Sequence, residues 1–509
     1  MDETSNLRRT GDSAPLDMDP EEFRALGHHL VDRIAEFLAS LPERPAAPAL
    51  TPAEARALVG REPLPEAGAE PKALLDRAAD LIMPGCRLNG HPRSWGYIVG
   101  SPAPLGMLGD LLASAVNPNV VSWTSSPVPS EMEGQVVRWI AELLGYPVDC
   151  GGLLVSGGNM ANFVGFLAAR RARAGWDVRR QGLSGDQTKT LTAYVSAETH
   201  TWIEKAADLF GLGTEALRWI PTDGKQRMDV TALRHRIEAD RAAGHLPFLV
   251  VGSAGTVSTG AVDPLPHIAT LAKEQGLWFH VDGAYGAPAV GAEGAPADLK
   301  GLRAADSVAV DAHKWLYVPL EAGCVLVRDR QALSDTFSYR PLYYHQHNAL
   351  GEEVTNFHEL GPQNSRYFRA LKVWLALQQA GKTQYQAMIG HDMALARALH
   401  QRLAREPEIE PVTQSLSITT FRFVPGGLDP AAEGVETYLN ELNTQLLTRI
   451  QTGGEAFLSN AVVDDRFLLR ACITNFRSTL DDVEALADIV TRIGREVDEE
   501  LRPKELAGE

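Results

Sequence analysis

The sequence predicts an α/β fold in which a mostly parallel sheet carries helices on its faces, with a helical segment ahead of it and a smaller α/β unit behind. Three observations support this. From about residue 150 to 330, short β-rich apolar runs alternate with helical stretches, the pattern of strands joined by crossover helices. After about residue 372 the alternation continues at a longer period. Ahead of both, an amphipathic helical series is set apart by a proline-rich link. The chain of 509 residues is long enough for several domains. We divide it into an N-terminal helical segment over 1–103, a large α/β domain over 104–371 and a small C-terminal α/β domain over 372–509.

The elements follow in order. Asp19-Pro20-Glu21-Glu22 offers an N-cap, a proline at the first helical position and a carboxylate placed for a capping box. Phe23, Leu26, Leu30, Ile34, Phe37, Leu38 and Leu41 then recur at helical spacing, so this helix has one face to bury against the body or a second subunit. The run LLVSGG (153–158) leads into a helical stretch, as does TAYVSAETH (192–200). LVVGSAGT, LWFHVDGA, SVAVDAHK and GCVLVRD complete the series of strands. Ligands of such sheets gather at the carboxyl ends of the strands. In the last part, LKVWLALQQAG, ETYLNELNTQLLTRIQ and DDVEALADIVTRIGREVDEEL read as helices, with SITTFRF and LLRACIT as strands.

Composition narrows the function. Apolar residues make up 44% and charged residues 22%, the profile of a folded globular protein. With 48 basic and 65 acidic residues the net charge is -17, which disfavours nucleic acid and anionic membrane surfaces as partners. The densest basic run, Arg170 to Arg180, reads as a solvated helix end. Cys86, Cys150, Cys324 and Cys472 are far apart, with no CxxC pair and no histidine cluster at ligand spacing, so neither a disulfide framework nor a metal site is expected. The first residues hold no apolar signal core, and the longest uncharged stretch, Leu111 to Ser130, is broken by prolines and asparagines. We expect a soluble cytoplasmic protein.

Chemistry concentrates at the strand ends. Lys314 is one of only ten lysines, and it follows the apolar strand SVAV between His313 and Trp315. Such a site desolvates an ammonium and is expected to lower its pKa, as suits a lysine that condenses with a carbonyl; the alternative is a lysine snorkelling from a strand end. Asp282 ends LWFHVD and is followed by Gly283 and Ala284, which leave room for a flat ligand. It could cap a helix, or keep a pyridine nitrogen protonated so that the ring serves as an electron sink. Together Asp282 and Lys314 match two ends of one cofactor. Ser156-Gly157-Gly158-Asn159, between a strand and a helix start, could cradle its phosphate or be a plain tight connection. His200, at the end of TAYVSAETH, is either a polar strand terminus or a ring that stacks on a cofactor and handles protons. The segment 338–353 reads as a long loop of the kind that forms lids.

With these residues assembled, the chain resembles the pyridoxal-phosphate-dependent group II decarboxylases, closest to the aromatic L-amino acid decarboxylases. HVDGAYG followed by HKW is the specific signature, and the similarity extends from EEFRALGHHLVDRIAEFL through HPRSWGYI, SWTSSPVPSEMEGQVVRWI and SGGNMANFVGFLAAR to SRYFRALKVWLAL. The resemblance implies fold type I, the aspartate aminotransferase-like architecture with a large mixed sheet, and pyridoxal 5'-phosphate as cofactor. It implies that Lys314 carries the cofactor as a Schiff base, Asp282 pairs with its ring nitrogen and Ala284 packs on one ring face, with His200 on the other. Ser156, Gly157 and Gly158 would hold the phosphate, and Thr256, Asp311 and His313 would support the site. The proton donor that completes decarboxylation falls at Tyr343, with Tyr344 adjacent. A homodimer acting on a small L-amino acid is also implied.

Three positions depart from the animal decarboxylases. Val257 stands where threonine is common, Asp311 where asparagine is frequent, and Val121 replaces an aromatic residue expected at the substrate pocket. The smaller Val121 predicts room for an indole. Two alternatives stay open: an aromatic aldehyde synthase, in which oxygen intercepts the reaction, and a decarboxylase of glutamate, aspartate, cysteine sulfinate or histidine, with Arg366 and Arg470 as candidate cations for an acidic substrate.

Overall fold

Continuous apolar runs can be buried on both faces, which suits the interior of a helix-covered sheet. In the computed structural model, which describes residues 16–185, 189–339, 351–428 and 432–506, the six runs form strands, and a seventh strand that the sequence did not reveal, Leu217–Ile220, joins them at the sheet edge with its two middle residues not buried. The seven are β1 (Gly151–Val155), β2 (Leu191–Ser196), β3 (Leu217–Ile220), β4 (Leu246–Ser253), β5 (Trp278–Asp282), β6 (Ser307–Asp311) and β7 (Gly323–Val327). Their order across the sheet is β1-β7-β6-β5-β4-β2-β3. The strands β3, β2, β4, β5 and β6 pair in parallel, whereas β7 is antiparallel to both of its neighbours. The sheet is therefore mixed, and the parallel strands deliver their carboxyl ends to one edge.

Strand β7 closes the gap between β1 and β6. Gly323 at its start pairs with Val155 on one side and Asp311 on the other. A Cβ at this glycine would lie 2.7 Å from the Gly157 backbone, so only glycine admits the close approach.

A second, antiparallel sheet has the order β10-β11-β9-β8, from β8 (Ile409–Ser415), β9 (Ile418–Phe423), β10 (Ser459–Val463) and β11 (Arg466–Cys472). The sequence indicated β9 and β11 but not their partners. β8 is half-buried and begins IEPV, and β10 is a five-residue edge strand with every second residue exposed, so neither makes a continuous apolar run. The helices Val435–Gly453 and Leu480–Leu501 cover this sheet and share a second apolar core. Helix Ala370–Leu403 joins the two sheets. Its first part packs on helices Pro104–Val116 and Pro127–Leu143, and beyond a break at Gly381 (φ 69°) it packs on the second sheet.

The first helix, Pro20–Ala39, starts as expected at Asp19, whose carboxylate accepts the Glu21 N–H, although no capping box forms. None of its residues is fully buried; Leu26, Leu30, Ile34, Phe37 and Leu38 are half-buried and Phe23 is exposed, so its apolar face is incompletely covered in the single chain. Further on, the strap around Trp95 ties the body together. Trp95 exchanges backbone hydrogen bonds with Phe457 and Cys472, and the Gly100 N–H donates to the His313 carbonyl at 3.2 Å.

The basic run from Arg170 is only partly a solvated helix end. Arg170 donates to the Phe210 carbonyl, and Arg179 donates to the carbonyls of Asp335, Thr336 and Ser338 at the end of helix Arg330–Phe337.

Candidate active site

Five strand ends converge on one cavity of about 450 Å³. Ser156, Gly157 and Gly158 reach it after β1, Thr256 after β4, Asp282 and Ala284 at the end of β5, and Asp311, His313 and Lys314 at the end of β6. His200 lines it as well, but from a turn four residues past β2, which stops at Ser196 rather than extending through the histidine. Each of these predicted residues therefore faces the same space. Tyr343 and Tyr344 lie outside the described residues.

The glycine turn has the geometry of an anion cradle. Gly157 precedes helix Gly158–Arg173, and no side chain caps its first N–H groups, which leaves them directed at a ligand. A Cβ at Gly158 would come within 2.6 Å of Asp311 Oδ2 and 3.3 Å of the Ala284 methyl, so the space over that turn exists because the side chain is absent.

Lys314 Nζ lies 2.9 Å from Asp311 Oδ2. Burial alone lowers the pKa of this amine, as the sequence suggested, but the Asp311 carboxylate outweighs it with help from Asp282, and the net shift is upward. The lysine is held as an ammonium, and the expected depression is not found. Asp311 Oδ1 is buried with no partner. His313, in contact with the Ala322 backbone through Nδ1, is kept neutral by burial.

Asp282 caps no helix. Its Oδ1 accepts the Ala284 N–H at 3.2 Å, and its Oδ2 accepts the Trp202 indole N–H at 2.8 Å. His200 keeps one edge exposed in the cavity, and Nδ1 accepts the Trp202 backbone N–H at 3.2 Å. The protein around the ring lowers its pKa by desolvation, against the pull of Asp282. Thr256 is buried, its hydroxyl 3.0 Å from that of Thr259.

Several cavity residues escaped the sequence reading. Asn162 sits one helical turn beyond Gly158 and so shares its face, a spacing that could have revealed it. Glu198, two residues before His200, has one carboxylate oxygen buried without a partner, and burial raises its pKa against a hydrogen bond from Ser258. Tyr285, the next residue after Ala284, stacks on Trp315 at 4.8 Å. Apolar wall comes from Ile98, Met160, Val257 and Leu320.

Other expected residues lie elsewhere. Val121 does not line the cavity, and its carbonyl instead accepts the His358 backbone N–H at 3.1 Å. Arg366 is buried in an ion pair with fully buried Glu133, and Arg470 in β11 donates to the Val257 carbonyl. Neither lines the cavity, and among the described residues no other arginine does.

A lysine beside a carboxylate, an aspartate at the adjoining strand end and an open helix N-terminus define an enzyme that holds a phosphorylated carbonyl cofactor with a protonated ring nitrogen. The comparisons place it more closely. The pyridoxal-dependent decarboxylase conserved domain matches residues 52–424, and the chain belongs to that family, PLP-dependent carboxy-lyases of fold type I. It is 33% identical to an aromatic-L-amino-acid decarboxylase of Bacillus atrophaeus over 95% of this chain and 98% of the relative. A phenylacetaldehyde synthase of Petunia hybrida is 29% identical, with 90% and 91% covered. A crystal structure of Oryza sativa TDC with PLP and tryptamine superposes with a TM-score of 0.87 at 28% identity, covering 95% of this chain and 99% of that one.

Pyridoxal phosphate fits the residues present. The glycine turn offers space that a methyl group would fill, Asp311 keeps an unpartnered oxygen in the wall, and the amine, carboxylate and N–H donors match the ends of the group.

Proposed function

We propose that this protein decarboxylates an aromatic L-amino acid to the corresponding amine and carbon dioxide. One observation carries the choice of substrate. The cavity wall holds the carboxylates of Glu198, Asp282, Asp311 and Glu321, a single lysine and no arginine among the described residues. A substrate with an acidic side chain would find no guanidinium among the described wall residues to pair with, whereas a neutral aromatic ring meets Ile98, Met160, Val257 and Leu320.

The residues divide the work. The N–H groups at Gly158 and after it would bind the phosphate. Asp282 would hold the proton on the ring nitrogen, and Ala284 and His200 would supply the walls beside the ring. Pyridoxal phosphate, when bound, supplies the sink for the electron pair left when carbon dioxide departs. Lys314, its nitrogen fixed by Asp311 at 2.9 Å, would be the amine that holds the carbonyl of that group. His200, uncharged because its pKa is lowered, accepts or donates a hydrogen bond on the open side of the cavity.

We further propose a cytoplasmic homodimer. The incompletely covered apolar face of helix Pro20–Ala39 supports the dimer, as do the exposed Leu108, Leu111, Leu112 and Val116 on helix Pro104–Val116. No described helix is long and apolar enough to cross a membrane.

Product identification by mass spectrometry tests the function, with cofactor-loaded protein and a panel of L-amino acids in air. Amine from tyrosine, DOPA, phenylalanine or tryptophan is the expected result. Aldehyde with ammonia would identify an aldehyde synthase instead, and turnover confined to glutamate, aspartate or cysteine sulfinate would overturn the argument from cavity charge.

A further inference from the structure

Among the described residues, the hydrogen bonds to Asp282 come from uncharged groups. Trp202, the first residue of helix Trp202–Leu209, is fully buried, and its indole N–H reaches Asp282 Oδ2 at 2.8 Å while the Ala284 N–H takes the other oxygen. The indole is itself fixed. It stands edge-on to His280 at 5.7 Å and 77°. His280 is hydrogen-bonded at both nitrogens, to Ser307 Oγ and to Asn162 Oδ1, each at 2.7 Å. Asn162 Oδ1 can only accept, so the neutral His280 donates from Nε2 and accepts at Nδ1 from Ser307 Oγ, which itself accepts the Trp278 N–H at 2.8 Å. Burial lowers the His280 pKa to about 4, so this chain carries no charge.

A cation beside Asp282 would offset the negative charge that a pyridinium nitrogen needs. Two neutral donors fix the plane of the carboxylate and leave that charge intact.

We infer that Trp202 is a positioning residue whose N–H aims Asp282 at the ring nitrogen of the cofactor. This rests on the reading of Asp282 as the partner of that nitrogen. The same short turn thus supplies His200 to the cavity and Trp202 to the carboxylate behind it.

The test uses Trp202→Phe and two ligands, pyridoxal phosphate and its 1-deaza analogue, which has carbon in place of the ring nitrogen. Affinities are read by titrating the cofactor-free protein. Affinity for pyridoxal phosphate is expected to fall about tenfold, while affinity for the deaza analogue stays within about twofold. In turnover with the natural cofactor, kcat falls and KM is unchanged. Equal weakening of both ligands would overturn the inference, because Trp202 would then only shape the cavity, and so would no weakening of either. If the phenylalanine variant does not fold, β-(3-benzothienyl)alanine at position 202 keeps the shape without the N–H, and the same comparison applies. Should the unaltered protein bind both ligands equally well, the failure lies in the reading of Asp282, and the inference falls with it.

Discussion

Arg366 was one of two arginines available to recognise an acidic substrate, and the structure gives it a different task with a measurable size. Its guanidinium is paired with Glu133, which is itself fully buried, and it also donates to the carbonyls of Val120 at 2.9 Å and Leu154 at 2.8 Å. Glu133 in turn accepts the Leu154 N–H at 2.8 Å, so the pair fastens β1 just ahead of the glycine turn. Replacing Arg366 by methionine would leave a buried carboxylate uncompensated, a change that costs about 3–5 kcal/mol. The two carbonyls that lose their donor add about 1–3 kcal/mol each, though not additively. The sum is a large part of the roughly 5–15 kcal/mol of net stability typical of folded proteins. Chemical unfolding of the cofactor-free protein should therefore show a marked fall in midpoint for Arg366→Met. The double variant Glu133→Gln with Arg366→Met should recover much of it, because no charge is then stranded. An Arg366→Met protein within about 1 kcal/mol of the parent, with an altered ratio of acidic to aromatic turnover, would refute this reasoning and return the arginine to substrate recognition.

Four further outcomes are expected. Gly158→Ala places a methyl 2.6 Å from Asp311 Oδ2 and should abolish cofactor binding, seen as loss of the bound-cofactor absorbance while the fold, by circular dichroism, is retained. Burial pushes Asp392 up to about 7, so the folded chain keeps a proton that the unfolded chain releases, and stability falls as pH rises from about 4 through 7; Asp392→Asn should lack this slope, and parallel profiles would contradict it. The pKa of His200 is lowered below its ordinary 6.5, so any acid limb of kcat/KM that it causes lies below that value and disappears in His200→Gln; a limb above it would show the ring is not desolvated. Tyr343→Phe should shift product from amine towards aldehyde, and unchanged amine output would remove Tyr343 as the proton donor.

The large sheet was legible because its strands are continuous apolar runs, and the site because its residues sit where those runs stop. Asp282 and Lys314 end or follow adjoining strands, so one-dimensional spacing already placed them near each other. What could not be read depends on neighbours in space. Trp202 looks like a helix residue until β5 brings Asp282 beneath it, and Arg366 looks available until Glu133, more than two hundred residues earlier, meets it. The charge of Lys314 was misjudged for a nearer reason: burial was weighed and Asp311, three positions before it, was not. β3, β8 and β10 were missed because half-exposed strands at or near a sheet edge carry little apolar signal.

The antiparallel strand β7 has a consequence for biosynthesis. By the time residue 314 leaves the ribosome, the glycine turn, the aspartate and the lysine have all been made. Yet β1 and β6 do not pair with each other and are joined only through β7, whose Gly323 lies against Gly157. The vitamin-derived cofactor thus has no complete seat on a nascent chain that stops short of Val327, and its capture reports that the sheet has closed.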